Sequence, residues 1–424
     1  MRPLRILMIS ALEVWALSGQ GGAPSFFETL RGYGRRGHRI DIIVPTIGAN
    51  HHQGTPKQAP PRIEGVTFQT FRLPSVTDAH LTLPTLVQKV DQKLRFAALF
   101  PLLASGRARR EVEHDSYDLL YGYELHGVLA QRLVRRTARL PLIARFQGTV
   151  MHPYLDRPLS LPRRYEEVLA LKTPADLYIM TDDGTQGDEV LRRLNPASAG
   201  KVRFWRNGLD LDAVRPPHED EVGAARRELS LSEDEFVLVT ACRLARWKRI
   251  DRAINAVALL KGRGVAAKLL IVGDGEERDA LERHARSLGV SESIVFVGSV
   301  PQPDVQRYLW AADVFLSVSE LSNVGNPLLE AMQAGRCIVT IDEGDTRTLI
   351  VDDETGVLLP TGEPDAIADA LVALSSDPAR RERLGRAARA VAVQSFWSWE
   401  QRIDAEVDAV EELIGARSPI PADV

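Results

Sequence analysis

The chain is predicted to be an α/β protein built from two Rossmann-like, doubly wound domains that face each other across a cleft. Three observations predict this. The opening runs strand, Gly-rich loop, helix, strand, which is the first unit of a doubly wound sheet. A second α/β alternation begins near residue 210. Within it, the apolar run Val314-Phe315-Leu316-Ser317-Val318 leads into Ser319-Glu320-Leu321-Ser322-Asn323-Val324-Gly325-Asn326-Pro327-Leu328-Leu329-Glu330. That stretch reads as a buried strand, a Gly/Asn turn, a Pro at the first helical position and a carboxylate one turn in. A helix start there points backbone N–H groups at the carboxyl end of a sheet, where polyols and phosphates bind.

The elements follow in order. Residues 6–12 form a buried parallel strand, and Ser18-Gly19-Gln20-Gly21-Gly22 a loop. A helix covers about 23–36 and is closed by Gly37, before a strand over 38–45. Residues 50–61 are polar and Pro-rich and are expected to be an exposed loop. A long helical stretch spans about 81–110, and strands follow at 119–121, 142–146 and 177–181. In the second half, strands are expected at 236–241, 269–275, 294–298, 314–318 and 337–341. Helices fill 251–261, 276–288 and 303–311, and the segment from Asp365 onward is helical and rich in Ala and Arg. The hinge falls around Asn207-Gly208-Leu209-Asp210, a turn signal between the two patterns. This gives an N-terminal domain over 1–207 and a second domain over 208–394, and the resemblance described below implies that 395–424 returns to the first.

Composition bounds the function. A chain of 424 residues is too long for one comfortable core, which supports two domains of about 200 residues each. A net charge of -4 gives no reason to expect nucleic acid. Cys242 and Cys337 lie in apolar runs and read as small buried hydrophobes in a reducing compartment rather than as metal ligands. Residues 4–12 are too few to span a bilayer and are followed by Glu13, so a cytoplasmic protein without a secretory segment is expected.

Arg243 and Lys248 flank one strand-to-helix loop and could converge on a diphosphate, the arginine as a planar fork and the lysine as a point charge. Basic residues at helix starts are more often solvated surface, so the pair gains weight from its company. That company is the Gly21-Gly22 loop, the Gly298-Ser299-Val300 turn and the stretch from Asn326 to Glu330. Together with Arg206-Asn207-Gly208-Leu209-Asp210, Ile271-Val272-Gly273-Asp274-Gly275, Thr355-Gly356-Val357-Leu358 and Ser395-Phe396-Trp397-Ser398-Trp399-Glu400, these segments resemble a known family. It is the retaining glycosyltransferases of the two-Rossmann-domain (GT-B) class, specifically family 4 with its glycogen-synthase-like and mannosyltransferase-like enzymes. The resemblance covers nearly the whole chain and is strongest over 206–360.

The resemblance implies roles. Arg243 and Lys248 would hold the donor diphosphate, with backbone N–H groups around Gly21 and Gly22 binding it from the first domain. Glu330 would accept the ribose hydroxyls, and the backbone around Val300 would read the base. Amides near Gly325 and Asn326 would touch sugar or phosphate. Two departures stand out. Where many members have a sugar-contacting Glu, this chain has Ser322, so Glu320, or Ser322 with Asn323, is expected to take that role. Where many members have a His, this chain has Gln147, which can hydrogen-bond a hydroxyl but cannot shuttle a proton.

Other candidates have plainer readings. Asp210-Leu211-Asp212 spells a metal-binding pattern of another glycosyltransferase class, but here it lies in the hinge signature, and no metal or other cofactor is expected. Asp182-Asp183 is expected to cap the next helix, and His51-His52 to be solvated. His126 lies at a sheet end, either near the acceptor or simply packed. The apolar stretch 94–104 reads as a core-packing helix broken at Pro101, with an interfacial segment as the alternative.

The expected function is a metal-independent, retaining transfer of a sugar from a nucleotide-diphosphate donor to a small-molecule or glycan acceptor. Alternatives on the same fold are a pseudo-catalytic or atypical coupling member, a peripheral membrane enzyme with a lipid-linked acceptor, and a non-phosphorolytic epimerase. The family-4 segments argue against the last.

Overall fold

The computed structural model describes residues 2–12, 24–46, 60–74, 85–135, 137 and 139–416. Gly21, Gly22, His51 and His52 lie outside the described residues. The chain divides into two compact units. The first comprises residues 1–182, 186–206 and 399–424, and the second 183–185 and 207–398.

The first unit contains β1 (Arg5–Ser10), α1 (Pro24–Arg35), β2 (Arg39–Thr46), β3 (Val66–Arg72), α2 (Thr85–Leu94), α3 (Phe100–His114) and β4 (Leu119–Tyr123). It continues with α4 (Glu124–Val134), β5 (Leu142–Phe146), α5 (Tyr165–Leu171), β6 (Leu177–Thr181), α6 (Gly187–Leu194) and β7 (Val202–Trp205). Its seven strands are parallel in the order β3-β2-β1-β4-β5-β6-β7. Side chains alternate faces along a strand, so Ile6 and Met8 enter one core while Leu7 and Ile9 enter the other. Burial on both faces is why β1, β4, β5 and β6 read as continuous apolar runs.

The second unit contains α7 (Glu219–Glu228), β8 (Phe236–Ala241), α8 (Ile250–Gly262), β9 (Ala267–Val272), α9 (Arg278–Ser287), β10 (Ile294–Gly298) and α10 (Val305–Ala311). Then come β11 (Val314–Ser317), α11 (Asn326–Gln333), β12 (Cys337–Ile341), β13 (Val357–Leu359), α12 (Pro364–Ser375) and α13 (Pro378–Ser395). Its six strands are also parallel, ordered β10-β9-β8-β11-β12-β13. Leu238, Leu269 and Val339 fill one core, and Val237, Leu270 and Ile338 the other.

The chain returns to the first unit at α14 (Trp399–Gly415). There Ile403, Val407 and Val410 join Phe26, Leu30 and Tyr33 in one apolar cluster. Beside them lies a charged cluster with no exposure. Glu406 accepts from Arg145 Nη1, from Arg402 Nη1 at 3.1 Å and from Tyr121 OH at 2.7 Å. Burial pushes the Glu406 carboxyl up, but the two guanidinium groups outweigh it and hold it below the usual range.

Two sequence expectations need correction. The helix is not broken at Pro101. A π-helical turn at Arg95–Leu99 joins α2 to α3, with Phe100 N–H donating to Arg95 C=O. A proline inside a helix clashes with the carbonyl four residues back, and the widened turn takes up that misfit. Asp182 and Asp183 do not cap the next helix. Gln186 is the N-cap of α6, Asp182 pairs with Arg206 at 3.1 Å, and Asp183 Oδ1 accepts from Thr185 N at 3.1 Å.

Candidate functional site

In each sheet one strand is the point from which the chain winds both ways. In the second unit β8 lies between β9 and β11, so the β8–α8 and β11–α11 loops leave the sheet side by side. The crevice outside the carboxyl ends of strands at such a switch point is where ligands bind in open α/β sheets.

The β8–α8 loop is folded against the turn after β9. Leu244 N–H donates to Asp274 C=O at 2.9 Å, and Cys242 N–H to Val272 C=O at 3.0 Å. This approach requires glycine. A Cβ on Gly273 would sit 1.9 Å from Cys242 O, and one on Gly275 would sit 2.4 Å from Leu244 O. A short 3-10 turn, Arg246–Lys248, then presents Lys248. Its ammonium lies 4.0 Å from the centre of the Trp247 ring. Burial pulls the Lys248 pKa down, while Asp183 acts in the opposite sense. Lys248 lines a small pocket with Thr240, Ser319, Asn323, Gly325 and Pro327. Arg243 projects into solvent and pairs with Glu276 Oε2 at 3.2 Å. The structure thus places Lys248 in the pocket and Arg243 outside its lining.

The opposite wall is the start of α11. Gly325 is the N-cap, its carbonyl accepting from Leu328 N and Leu329 N. Asn326 Oδ1 accepts from Asn207 Nδ2 at 3.0 Å. Ser322 Oγ donates to Asp183 C=O at 2.6 Å and accepts from Val324 N at 3.0 Å. Asn323 Oδ1 accepts from Ser317 Oγ and Ser319 N, and Nδ2 donates to Ile341 O at 3.1 Å. Ser322 and Asn323 therefore spend their side chains on shaping the loop. Glu320 accepts from Arg249 Nη1 at 3.3 Å and lines a separate cavity of about 520 Å³ with Arg246, Arg249, Asp251 and Glu277.

Glu330, one turn into α11, is 5% exposed. Burial raises its pKa to about 7, with Gln302 Nε2 donating to Oε1 at 3.0 Å. Gln302 stands two residues beyond Val300, in the segment that follows β10, so it ties that segment to Glu330. Val300 itself packs at the edge of a core cluster. Both cysteine thiols are pushed up by burial, to about 11 for Cys242 and about 12 for Cys337.

In the first unit, Gln147 directly follows β5, and its N–H and both polar atoms of its side-chain amide have partners. Its N–H donates to Glu124 Oε1 at 2.7 Å, Nε2 donates to Tyr123 OH at 2.6 Å, and Oε1 accepts from Thr181 Oγ1 at 3.2 Å. Glu124 itself stands at φ 63°, a left-handed conformation rare outside glycine. His126, in the first turn of α4, lies 3.4 Å from Glu166 Oε2 and against the Phe96 ring. Burial lowers its pKa against the pull of Glu166.

Four residues at these sites make pairings that the sequence does not signal. Gln302, Asp183, Asn207 and Arg249 reach their partners only through the fold, since the partners lie 28 to 139 residues away.

Residues 222–391 match the family model described as glycosyl transferases group 1. The D-inositol 3-phosphate glycosyltransferase of Nocardia farcinica is 34% identical over 323 residues, covering 72% of this chain and 70% of that protein. That of Kribbella flavida is 33% identical over 45% of this chain, and there the chain spans about half, 47%, of the relative's length. Among solved structures, sucrose-phosphate synthase from Thermosynechococcus elongatus superposes with a TM-score of 0.74 at 20% identity. That alignment covers 97% of this chain and 100% of the other, and it shows the shared GT-B fold.

Proposed function

This chain belongs to the group 1 glycosyl transferases, and from that premise we propose that it moves a sugar from a nucleoside-diphosphate donor to a hydroxyl of a polyol phosphate. One observation carries the donor half. At the β8/β11 switch point a desolvated ammonium, Lys248, shares a pocket with the N-cap of α11, and the buried carboxyl of Glu330 lies one turn further on. An ammonium beside a helix N-terminus suits a diphosphate, and a carboxylate that can accept two hydroxyls suits a ribose. The acceptor half leans on the relatives, whose names specify D-inositol 3-phosphate.

In the reaction, the acceptor oxygen forms a bond to the anomeric carbon. The bond from that carbon to the diphosphate breaks, and its electron pair leaves with the phosphate. The acceptor's proton passes to the departing phosphate oxygen, so attack and departure share one face and the anomeric configuration is retained. Lys248 neutralises charge that grows on the leaving group, where preorganised electrostatics contribute most. Arg243 swings from Glu276 to the outer phosphate. Gln147, held by Tyr123 and Thr181 in the first unit, is an amide and takes no proton. No carboxylate pair serves a metal in this scheme, so activity persists in EDTA.

Calorimetry with UDP and GDP tests the donor half. Lys248→Met weakens binding by about 1.5–3 kcal/mol, the scale of a charged hydrogen bond. Arg243→Ala costs less, about 1 kcal/mol or below, because its side chain is 75% exposed. Unchanged affinity in both variants overturns the assignment. NMR of the product anomer tests retention, and loss of turnover in EDTA restored by manganese would overturn metal independence.

A second acceptor reading has its own observation. Val87, Val90, Leu94 and Leu102 are exposed large apolar residues along α2 and α3. Such a stripe suits a surface that meets lipid, where a lipid-linked acceptor would be presented. Among the described residues no helix is long and apolar enough to cross a membrane. Sedimentation with anionic vesicles, lost in Val90→Glu/Leu94→Glu, distinguishes this acceptor from a soluble polyol phosphate.

A further inference from the structure

Arg249 stands at φ 52°, ψ 43°, in the left-handed region that glycine occupies without steric cost. It is the N-cap of α8, yet its side chain makes no capping bond to that helix. The guanidinium forms a fork instead. Nε and Nη2 bond Asp251 at 3.0 and 2.9 Å, and Nη1 reaches Glu320 Oε2 at 3.3 Å.

Two further links join the same pair of segments. Glu320 N–H donates to Trp247 C=O at 3.0 Å, and Arg252 Nη1 donates to Val318 C=O at 3.0 Å. The seam therefore runs from 247–252 to 318–320. On one side the next residue is Lys248. On the other, Ser319, Asn323 and Gly325 complete the Lys248 pocket. A glycine at 249 would make the same turn with less strain, so what arginine adds is the fork.

We propose that Arg249 is a positioning residue for the donor diphosphate, its fork to Asp251 and Glu320 holding the Lys248 loop in register with the N-terminus of α11. Arg249 touches no ligand itself. It acts through Lys248, whose backbone it follows directly, by adding a side-chain link to a seam otherwise held by the Glu320–Trp247 and Arg252–Val318 bonds. This rests on the reading of Lys248 as the diphosphate's partner. It also gives Glu320 a different task from gripping the sugar: its carboxylate anchors the far end of the seam.

The test compares the full chain with Arg249→Gly, Arg249→Lys and Glu320→Gln, measuring UDP and GDP binding by calorimetry and unliganded melting in parallel. Arg249→Gly relieves the backbone, so its melting temperature stays level or rises. Its dissociation constant rises about tenfold, the effect of losing one charged hydrogen bond. Arg249→Lys restores part of that loss, because a point charge can still reach Glu320. Glu320→Gln leaves the turn and the Asp251 bonds intact and decides the matter if Arg249→Gly also melts lower. Weaker binding in Glu320→Gln upholds the positioning role, and unchanged binding overturns it. Wild type that binds neither nucleotide overturns the function proposed above together with this inference. Wild type that binds, with Arg249→Gly and Glu320→Gln equal to it, overturns this inference alone.

Discussion

Glu330 places function and stability in opposition. Its carboxyl is raised from an ordinary 4.5 to about 7 because burial disfavours the charge, and the Gln302 amide offsets only part of that. A group so raised still holds a proton in the folded chain at pH values where the unfolded chain has released it. Stability contributed by the protonated form is therefore full below about 4.5 and is lost as pH rises toward about 7. At about 1.4 kcal/mol per pH unit, the loss reaches about 3 kcal/mol above neutrality. Glu330→Gln keeps an acceptor for Gln302 and carries no charge. It should melt higher than wild type at pH 8 and level with it at pH 4.5, while binding UDP or GDP more weakly. Melting curves at the two pH values check this, and an equal difference at both would sink it. The ribose reading adds a second sign: nucleotide affinity in the wild type should rise between pH 6 and 8, as the carboxylate that accepts the diol becomes ionised. Glu330 is legible in the sequence because it sits at a fixed offset from the Gly325 and Pro327 that mark a strand-to-helix turn, and Lys248 because it is a basic residue between an apolar strand and a helix, in a segment that resembles a known family. Gln302 and Arg249 are not. Gln302 meets Glu330 across 28 residues, and nothing local to Arg249 announces a left-handed arginine.

At the scale of elements, legibility follows burial. The central strands β1, β4, β5, β6, β8 and β12 are buried along nearly their whole length and read directly as apolar runs. The strands that sequence patterning passes over are β3, β7 and β13. All three are sheet edges, β3 is largely exposed or half-buried and β7 is half-buried, so their sequences Val-Thr-Phe-Gln-Thr-Phe-Arg and Val-Arg-Phe-Trp carry polar residues on the open side. The two halves of the site divide the same way. The β11–α11 loop shows punctuation in the sequence and the β8–α8 loop only its basic residues, while the seam that joins them consists of long-range hydrogen bonds. Among elements, α14 makes the sharpest prediction. Glu406 is the carboxylate between Arg145 and Arg402, all without exposure. Removing one partner of a buried pair leaves an uncompensated charge, which costs about 3–5 kcal/mol. Glu406→Gln should therefore lower the stability of the first unit by that amount, whereas Asp408→Asn, whose partner Arg36 is on the surface, should change it by about 1 kcal/mol or less. Urea denaturation of the two variants checks the ranking, and equal losses would mean that the buried cluster is no more than a surface-like pair.

For the whole molecule, the consequence is that one unit is closed by α14 and the other is not. The first unit draws on residues 399–416 for its core, while the second is complete by Ser398, where Phe396 is buried and Leu209 N–H donates to Trp397 C=O at 3.0 Å. A chain ending at Ser398 loses Ile403, Val407 and Val410 from the first unit, each worth about 1.5–3 kcal/mol when fully buried. It also leaves the Arg145 guanidinium buried without its carboxylate, a further cost of about 3–5 kcal/mol. The combined loss, about 8–14 kcal/mol, is comparable to the 5–15 kcal/mol by which native proteins of ordinary stability are held. The first unit should therefore fail to fold, and the second should persist. Because a ligand stabilises whatever binds it, UDP or GDP should still raise the melting temperature of the truncated chain, through the Lys248 pocket. Scanning calorimetry of the full and truncated chains, with and without nucleotide, reads both parts. Truncation that preserves a cooperative transition for the first unit would refute the closing role of α14. Truncation that leaves the second unit folded but blind to nucleotide would show that residues of the first unit are indispensable for donor binding.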